Sequence, residues 1–187
     1  GARSAGVVLR RAGLGWPPLV EIAALDEHHG GDLLSTQLLA LTAASPEAAA
    51  LVATFHEADG ERARVKAADR LLRHALERWM RGLTGDAIES FSAFRARVDG
   101  ALVEMRARGG RTLAAFTSGG TIGAAVGGVL RVDDPAALEL GLVLHNASVT
   151  ELLFHREKVS LASLNGKPHL PAYLHTYRLR GARWISR

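Results

Sequence analysis

The segment "AAFTSGGTIGAAVGG", residues 114–128, most strongly restricts what this chain can fold into. It begins within an apolar run, "TLAAFTS" at 112–118, of the kind that forms a strand covered on both faces of a sheet. Two glycines then break the run, and the small residues that follow predict a glycine-rich helix over 119–130. A buried strand that turns directly into a helix is typical of α/β proteins.

Periodic apolar residues predict several further helices. Between residues 62 and 83 the apolar side chains recur at the three- and four-residue spacing of an amphipathic helix. Ser45-Pro46 has the N-cap and proline pattern of a helix start. The predicted helices span 3–13, 33–44, 62–83, 87–110 and 119–130, and one more begins at Ser45-Pro46. Asp32 caps the helix over 33–44, and Gly109-Gly110 stops the helix over 87–110.

The predicted strands are short and lie between these helices. They are the apolar run 17–25, the run 112–118, and two or three strands within 140–165, broken at Asn146 and near Arg156. This alternation predicts a three-layer sandwich with a mostly parallel sheet and helices on both faces, forming a single domain over 1–187. Residues 32–83 hold about three helices with no strand between them, which predicts a helical lid inserted over one edge of the sheet.

Composition narrows the class of protein. The chain of 187 residues contains no cysteine, so disulfides, thiolate metal sites and cysteine nucleophiles are excluded within it. No apolar run approaches the roughly 20 residues of a membrane-spanning helix, and no secretory signal pattern follows Gly1. The net charge is only +4, with basic residues concentrated in "RLRGARWISR" at the C-terminus, where a solvated tail is expected. We therefore expect a cytoplasmic protein with neither a nucleic-acid nor a membrane partner.

The glycine turn after the run at 112–118 is a candidate anion site. Amides at a helix N-terminus attract anions, and the hydroxyls of Ser118 and Thr121 are placed to add hydrogen bonds. Two known motifs nearly fit. The dinucleotide fingerprint would need glycine at Ser118, and the nucleophile elbow would need glycine at Phe116. A tight turn that needs small residues only for packing remains an alternative.

The order of several segments resembles that of the histidine phosphatase superfamily, the phosphoglycerate-mutase-like phosphatases. The resemblance covers nearly the whole chain and implies that family's α/β fold. It also implies hydrolysis of a small-molecule phosphate ester through a phosphohistidine, without a metal or an organic cofactor. The segments that carry it are "ARSAGVVLRRAGL", "LVEIAALDEHHGGDLL", "ESFSAFRARVDGAL", "FTSGGTIGAAVGGVL", "LHNASVTELLF" and "NGKPHLPAYLHTYR".

The resemblance implies roles for four residues. Arg3 matches the phosphate-binding arginine, whose guanidinium fork suits a tetrahedral phosphate. Glu27 matches the acid that protonates the leaving group. Ser118 stands where the family usually has a histidine, so it offers a hydrogen bond without positive charge. Gly119 matches the glycine that lets the backbone approach the phosphate.

Two further residues are candidates for the pocket, and one expected motif is missing. His28 and Asn146 are the candidate pocket residues; His28 and His29 make a poor chelate because neighbouring residues on an extended segment point in opposite directions. No metal is therefore expected.

The family's nucleophilic histidine lies in an R-H-G motif on a first strand, and no R-H-G occurs here. We expect that strand upstream of residue 1.

Three functions remain open from the sequence. The first is a phosphomonoesterase of the histidine phosphatase type. The second is a non-catalytic member that binds a phosphate ligand or regulates, having kept the anion pocket and lost the chemistry. The third is a serine esterase with Ser118 as nucleophile.

Val149, Leu152 and Phe154 suit an interface strand of a homodimer, although core packing explains them equally well.

Overall fold

The computed structural model describes residues 13, 15, 18–28, 45–84 and 88–174. Within these ranges the chain forms five α-helices and one antiparallel pair of strands. The elements are α1 (Pro46–Glu57), α2 (Glu61–Met80), α3 (Phe91–Ala107), α4 (Gly119–Leu130), α5 (Asp134–Leu142), β1 (Val149–His155) and β2 (Lys158–Gly166), with single 3-10 turns at Ala23–Leu25 and Ala172–Leu174.

Side-chain caps fix where three helices begin. The Ser45 hydroxyl accepts a hydrogen bond from the amide of Ala48, which confirms the predicted start of α1. Ser90 caps α3 in the same way, so that helix begins four residues later than predicted from the sequence. Asp133 caps α5, a helix missed in the sequence although Asp133 followed by Pro135 is a helix-start signal.

The core lies where α2, α3 and α4 meet. Trp79 of α2 contacts Phe91 and Phe94 of α3, with ring centroids 4.9 and 5.5 Å away, and its indole nitrogen donates to the Glu89 carbonyl. Val126 of α4 is fully buried. The predicted periodicity of 62–83 is confirmed in its centre, where these residues are buried: Leu71, Leu72, Ala75, Leu76 and Trp79.

Helices α4 and α5 pack with their backbones in close contact. A Cβ atom built on Gly123 would lie 2.6 Å from the Gly141 nitrogen and 2.7 Å from the Ala137 carbonyl oxygen. One built on Gly127 would lie 2.5 Å from the Ala137 Cβ. The glycines of α4 therefore allow its backbone to pack closely against α5 along most of its length.

The two strands form a hairpin after α5. β1 and β2 pair antiparallel, with His155 opposite Lys158 across a turn in which Arg156 has φ 50°. The predicted strand break near Arg156 is thus confirmed. The chain also turns at Asn146, between α5 and β1, but residues up to Leu142 are helical instead of extended.

Two predicted strands are absent from the described structure, which corrects the sequence interpretation. Within 17–25, residues Ala23–Leu25 form a 3-10 turn and 18–22 have no regular structure. Residues 112–118 also have no regular structure, and Leu113 and Phe116 are 39% and 49% exposed. An apolar run becomes a strand only when it pairs, and neither run forms a ladder with any described residue.

Some expectations lie beyond what the described residues decide. The predicted helix 33–44 and, apart from Gly13, the predicted helix 3–13 fall outside them. The mostly parallel three-layer sandwich, the helical lid over 32–83 and the single domain remain predictions. Among the described residues, no helix is both long and apolar enough to cross a membrane.

Candidate active site

Glu27 lies two residues after the 3-10 turn and directs its carboxylate at the start of α4. Its Oε2 accepts a hydrogen bond from the Gly120 amide at 3.3 Å, and its Oε1 accepts one from the His28 amide at 3.1 Å. The side chain is 20% exposed. The structure therefore brings two segments of the predicted site together, the acid and the glycine turn, although they lie more than 90 residues apart.

Gly120 makes this approach sterically feasible. A Cβ atom at this position would lie 2.2 Å from Glu27 Oε1 and 2.8 Å from His28 Cδ2. Real Cβ atoms essentially never come that close, so any side chain here displaces the carboxylate. Gly120 therefore lies in close contact with the Glu27 carboxyl, while the approach of a phosphate to the glycine turn stays a prediction.

Ser118 is the residue that precedes α4. Its carbonyl accepts the first helical hydrogen bond, from the Ile122 amide at 3.0 Å, while its hydroxyl makes no capping bond. The hydroxyl instead lies 3.3 Å from the Thr121 hydroxyl.

Gly119 is also held close to other backbone. A Cβ atom there would lie 2.9 Å from the Gly141 carbonyl oxygen of α5 and 4.0 Å from the Leu144 Cβ. Contact with α5 is thus sufficient to explain a glycine at 119. Its predicted role as the glycine that approaches a phosphate stays a prediction.

Residues 23–27, here called the acid segment, include Glu27 and accept hydrogen bonds from α3, from the first turn of α4 and from Thr117 just before α4. The Thr117 hydroxyl donates to the Leu25 carbonyl, and the buried Thr121 hydroxyl donates to the Asp26 carbonyl at 3.1 Å. Arg97 of α3 donates to the carbonyls of Ala24 and Asp26 at 3.0 and 2.9 Å.

Sequence reasoning missed Arg97 and Thr117. The contacts of Arg97 with the acid segment join residues more than 70 positions apart, and no local pattern indicates such a pair. The Glu89 hydrogen bonds of Arg97, followed by other nearby carboxylates, raise the pKa of its guanidinium against the opposing effect of burial. The group is therefore a permanent cation beside the acid segment.

His28 belongs to the aromatic core. Its ring is 6% exposed and lies 4.8 Å from the Trp79 ring and 5.6 Å from the Phe94 ring, measured between centroids. Its Nε2 is 3.4 Å from Glu27 Oε1. These contacts anchor the C-terminal end of the acid segment in the core, and a role in binding substrate stays a prediction.

The remaining candidate residues are less closely connected. Asn146 is exposed in the turn before β1, and its position in a pocket stays a prediction. Beside it the His145 amide donates to Asn165 Oδ1 at 2.9 Å, and His145 Nε2 lies 3.2 Å from Lys167 Nζ. Arg3 lies outside the described residues. In the described part of the chain, no three His, Asp or Glu side chains group as metal ligands.

Together these contacts place a carboxylate, a helix N-terminus and two hydroxyls in one small region, an arrangement suited to proton transfer beside an anion. No curated protein and no solved structure matches the chain significantly. Residues 53–167 match the family model described as "Histidine phosphatase superfamily (branch 1)", a range that includes Ser118 and Gly119 but not Glu27. Because the match spans more than half of the sequence, the chain belongs to the histidine phosphatase superfamily, whose fold is α/β.

Proposed function

We propose that this protein is a phosphomonoesterase of the histidine phosphatase type in which Glu27 is the proton donor. One observation carries the proposal: the Glu27 carboxylate accepts a hydrogen bond from the Gly120 amide at the N-terminal end of α4. The first amides of a helix attract anions, and here an anionic group already contacts one of them. A proton donor and an anion-binding backbone thus lie one hydrogen bond apart.

The proposed reaction has two steps through a phosphohistidine. A histidine nitrogen attacks phosphorus, the ester P–O bond breaks, and Glu27 gives its proton to the leaving alkoxide. Water then attacks the phosphohistidine, Glu27 takes a proton from that water, and the P–N bond breaks to release inorganic phosphate. In this family the attacking histidine lies in an R-H-G motif, which these 187 residues do not contain. The proposal therefore names no residue of this sequence as the attacking histidine.

Phosphate binding is proposed for Arg3, Ser118 and Gly119. The guanidinium of Arg3 would give two parallel charge-assisted hydrogen bonds to the phosphate oxygens. The Ser118 hydroxyl and the Gly119 amide would donate to the oxygens that gain charge in the transition state. Ser118 precedes the first turn of α4, so its hydroxyl and the first helical amides belong to one local structure.

The Glu27–Gly120 contact also couples substrate binding to proton transfer. A phosphate that arrives at the start of α4 competes with the Glu27 carboxylate for the Gly120 amide. Phosphate binding at this helix end therefore releases the Glu27 carboxyl from the Gly120 amide, so that the carboxyl is free to face the leaving group.

A non-catalytic phosphate-binding or regulatory protein is the second candidate. It is favoured by Ser118, which replaces the family's usual histidine and whose described hydroxyl contact is Thr121. A hydroxyl provides a hydrogen bond without the positive charge that an imidazolium would place on the phosphoryl group. Trapping a phosphorylated protein with labelled substrate would exclude this candidate.

The family and the sequence are the basis for proposing a substrate class, a cofactor requirement, a location and an oligomeric state. We propose a small-molecule phosphate ester as substrate, no metal or organic cofactor, and a cytoplasmic location. A homodimer through β1 is also proposed, since Val149 and Phe154 are 52% and 38% exposed on that strand. Sedimentation of wild type against Val149→Lys tests the dimer, which the lysine would dissociate.

Two substrates with different leaving groups test the role of Glu27. Loss of a general acid costs about 10²–10⁴-fold in rate where the leaving group needs a proton. Glu27→Gln should therefore lose turnover of an alkyl phosphate by about 100-fold or more, and of p-nitrophenyl phosphate far less, because nitrophenolate leaves without protonation. Glu151→Gln, an exposed change on β1, is the matched control. Equal rates for Glu27→Gln and wild type on the alkyl ester would refute the proposal.

A further inference from the structure

Among the described residues outside the proposed catalytic set, Arg97 donates the most side-chain hydrogen bonds to the acid segment. One of its terminal nitrogens, Nη1, donates to the Ala24 carbonyl at 3.0 Å and to the Asp26 carbonyl at 2.9 Å. Thr117 and Thr121 donate to the carbonyls of Leu25 and Asp26. All three carbonyls immediately before Glu27 therefore accept hydrogen bonds from other parts of the chain, and Arg97 supplies two of these bonds.

The guanidinium of Arg97 is itself held on its other side. Its Nε and Nη2 donate to the two carboxylate oxygens of Glu89 at 2.8 and 2.7 Å, a bidentate pair. The guanidinium carbon lies 4.9 Å from the centre of the Phe94 ring. Four of the five N–H groups of an arginine are thus used, and both the plane and the direction of the group are fixed.

This arrangement links the acid segment rigidly to α3. Phe94 is buried in the core at 1% exposure, and Glu89 lies just before the Ser90 cap of α3. A lysine at position 97 has three donors on a flexible stem and cannot pair both Glu89 oxygens while also bridging two carbonyls. The geometry is therefore specific to arginine, although the side chain is not part of the core and is 23% exposed.

We infer that Arg97 is the positioning residue for the Glu27 acid: it anchors the carbonyls of Ala24 and Asp26 to α3, so that Glu27 meets the Gly120 amide. This inference rests on the proposed function of Glu27. The hydrogen bonds of Arg97 to the acid segment are with backbone carbonyls, so it acts on Glu27 through the backbone. Misplacing a catalytic group by about 1 Å costs up to roughly 100-fold in rate, so the anchor matters to turnover more than to folding.

Arg97→Lys tests the inference, and Arg95→Lys is its matched control. Arg95 lies on the same helix and bonds Asp134 at the start of α5 and the carbonyl of Val132 just before that helix, and neither residue belongs to the acid segment. We expect Arg97→Lys to lower kcat for an alkyl phosphate by about tenfold or more, with KM within about twofold of wild type. Turnover of p-nitrophenyl phosphate should change little, and Arg95→Lys should leave the ratio of the two rates at its wild-type value.

Amide hydrogen exchange provides a readout that does not depend on activity. Arg97→Lys should speed exchange at the Gly120 and His28 amides, which bond the Glu27 carboxylate, while Arg95→Lys should not. The inference is overturned if Arg97→Lys slows both substrates equally, or if exchange at these amides matches that of Arg95→Lys. A wild type with no phosphatase activity, or a Glu27→Gln variant with unchanged rates, instead overturns the proposed function, and the exchange comparison still decides the role of Arg97.

Discussion

Replacing Gly120 by alanine tests the contact on which the proposed site depends. The new Cβ would lie 2.2 Å from Glu27 Oε1 and 2.8 Å from His28 Cδ2. The carboxylate ends a flexible side chain and can swing away, which breaks its bond to the Gly120 amide at a cost of about 1.5–3 kcal/mol. The His28 ring is wedged against Trp79 and cannot move so easily. Overpacking there adds about 1–3 kcal/mol.

Helix propensity opposes these costs, because alanine in a helix is favoured over glycine by about 1 kcal/mol. The net expected loss in the free energy of unfolding is about 3 kcal/mol, or roughly 6–12 °C in Tm for a chain of this size. Since Glu27 is displaced, turnover of an alkyl phosphate should also fall by about tenfold or more.

The matched control for this change is Gly100→Ala in α3. A Cβ atom at Gly100 would meet nothing within 4 Å, so alanine should stabilise the protein by about 0.5–1 kcal/mol. Urea unfolding and alkyl phosphatase assays of both variants give the comparison. If Gly120→Ala were as stable and as active as Gly100→Ala, Glu27 would not lie against Gly120 and the proposed site would be wrong.

Two further predictions concern α4 and its neighbours. The Asp99 carboxyl lies against α4 at Gly128, and although the residue is exposed, partial desolvation there raises its pKa above the ordinary 3.8 despite the nearby Arg95. The ionised form therefore destabilises the fold above that pKa, so Asp99→Asn should raise the free energy of unfolding at pH 7. The gain should shrink as pH falls toward 3.8, which urea unfolding of both proteins at a series of pH values would measure. Gly123→Ala would place a Cβ 2.6 Å from the α5 backbone, and calorimetry should show a loss of about 3 kcal/mol; an unchanged Tm would contradict the close packing of α4 on α5.

The helices of the described residues were largely predictable because their signals are local. Ser45-Pro46 predicted α1, and the three- and four-residue periodicity before Leu83 predicted α2. The helix α5 was missed since the apolar residues 140–144 were assigned to a strand, although Asp133 marked the helix start. The strands at 17–25 and 112–118 were predicted wrongly because apolar runs indicate burial or pairing without naming a partner.

The site was predictable only in part, for a similar reason. The glycine turn and the acid were recognised separately, Glu27 through the family resemblance and Ser118 through the turn itself. Their contact through Gly120 depends on how α4 packs, which no local pattern encodes. Arg97 was missed because its role rests on backbone carbonyls of the acid segment, and any sequence offers carbonyls at every position.

Titration of the protein with orthovanadate, followed by amide NMR, tests the central claim most directly. Vanadate mimics the transition state of phosphoryl transfer, so it should bind where phosphate chemistry occurs. We expect saturable shifts at the amides of Gly119 and Gly120, together with a shift of the Glu27 carboxyl carbon as the ion displaces its carboxylate from α4. Ser118→Ala should weaken this binding. Shifts that do not saturate, or that leave Gly119, Gly120 and Glu27 unmoved, would contradict a phosphate site at the start of α4.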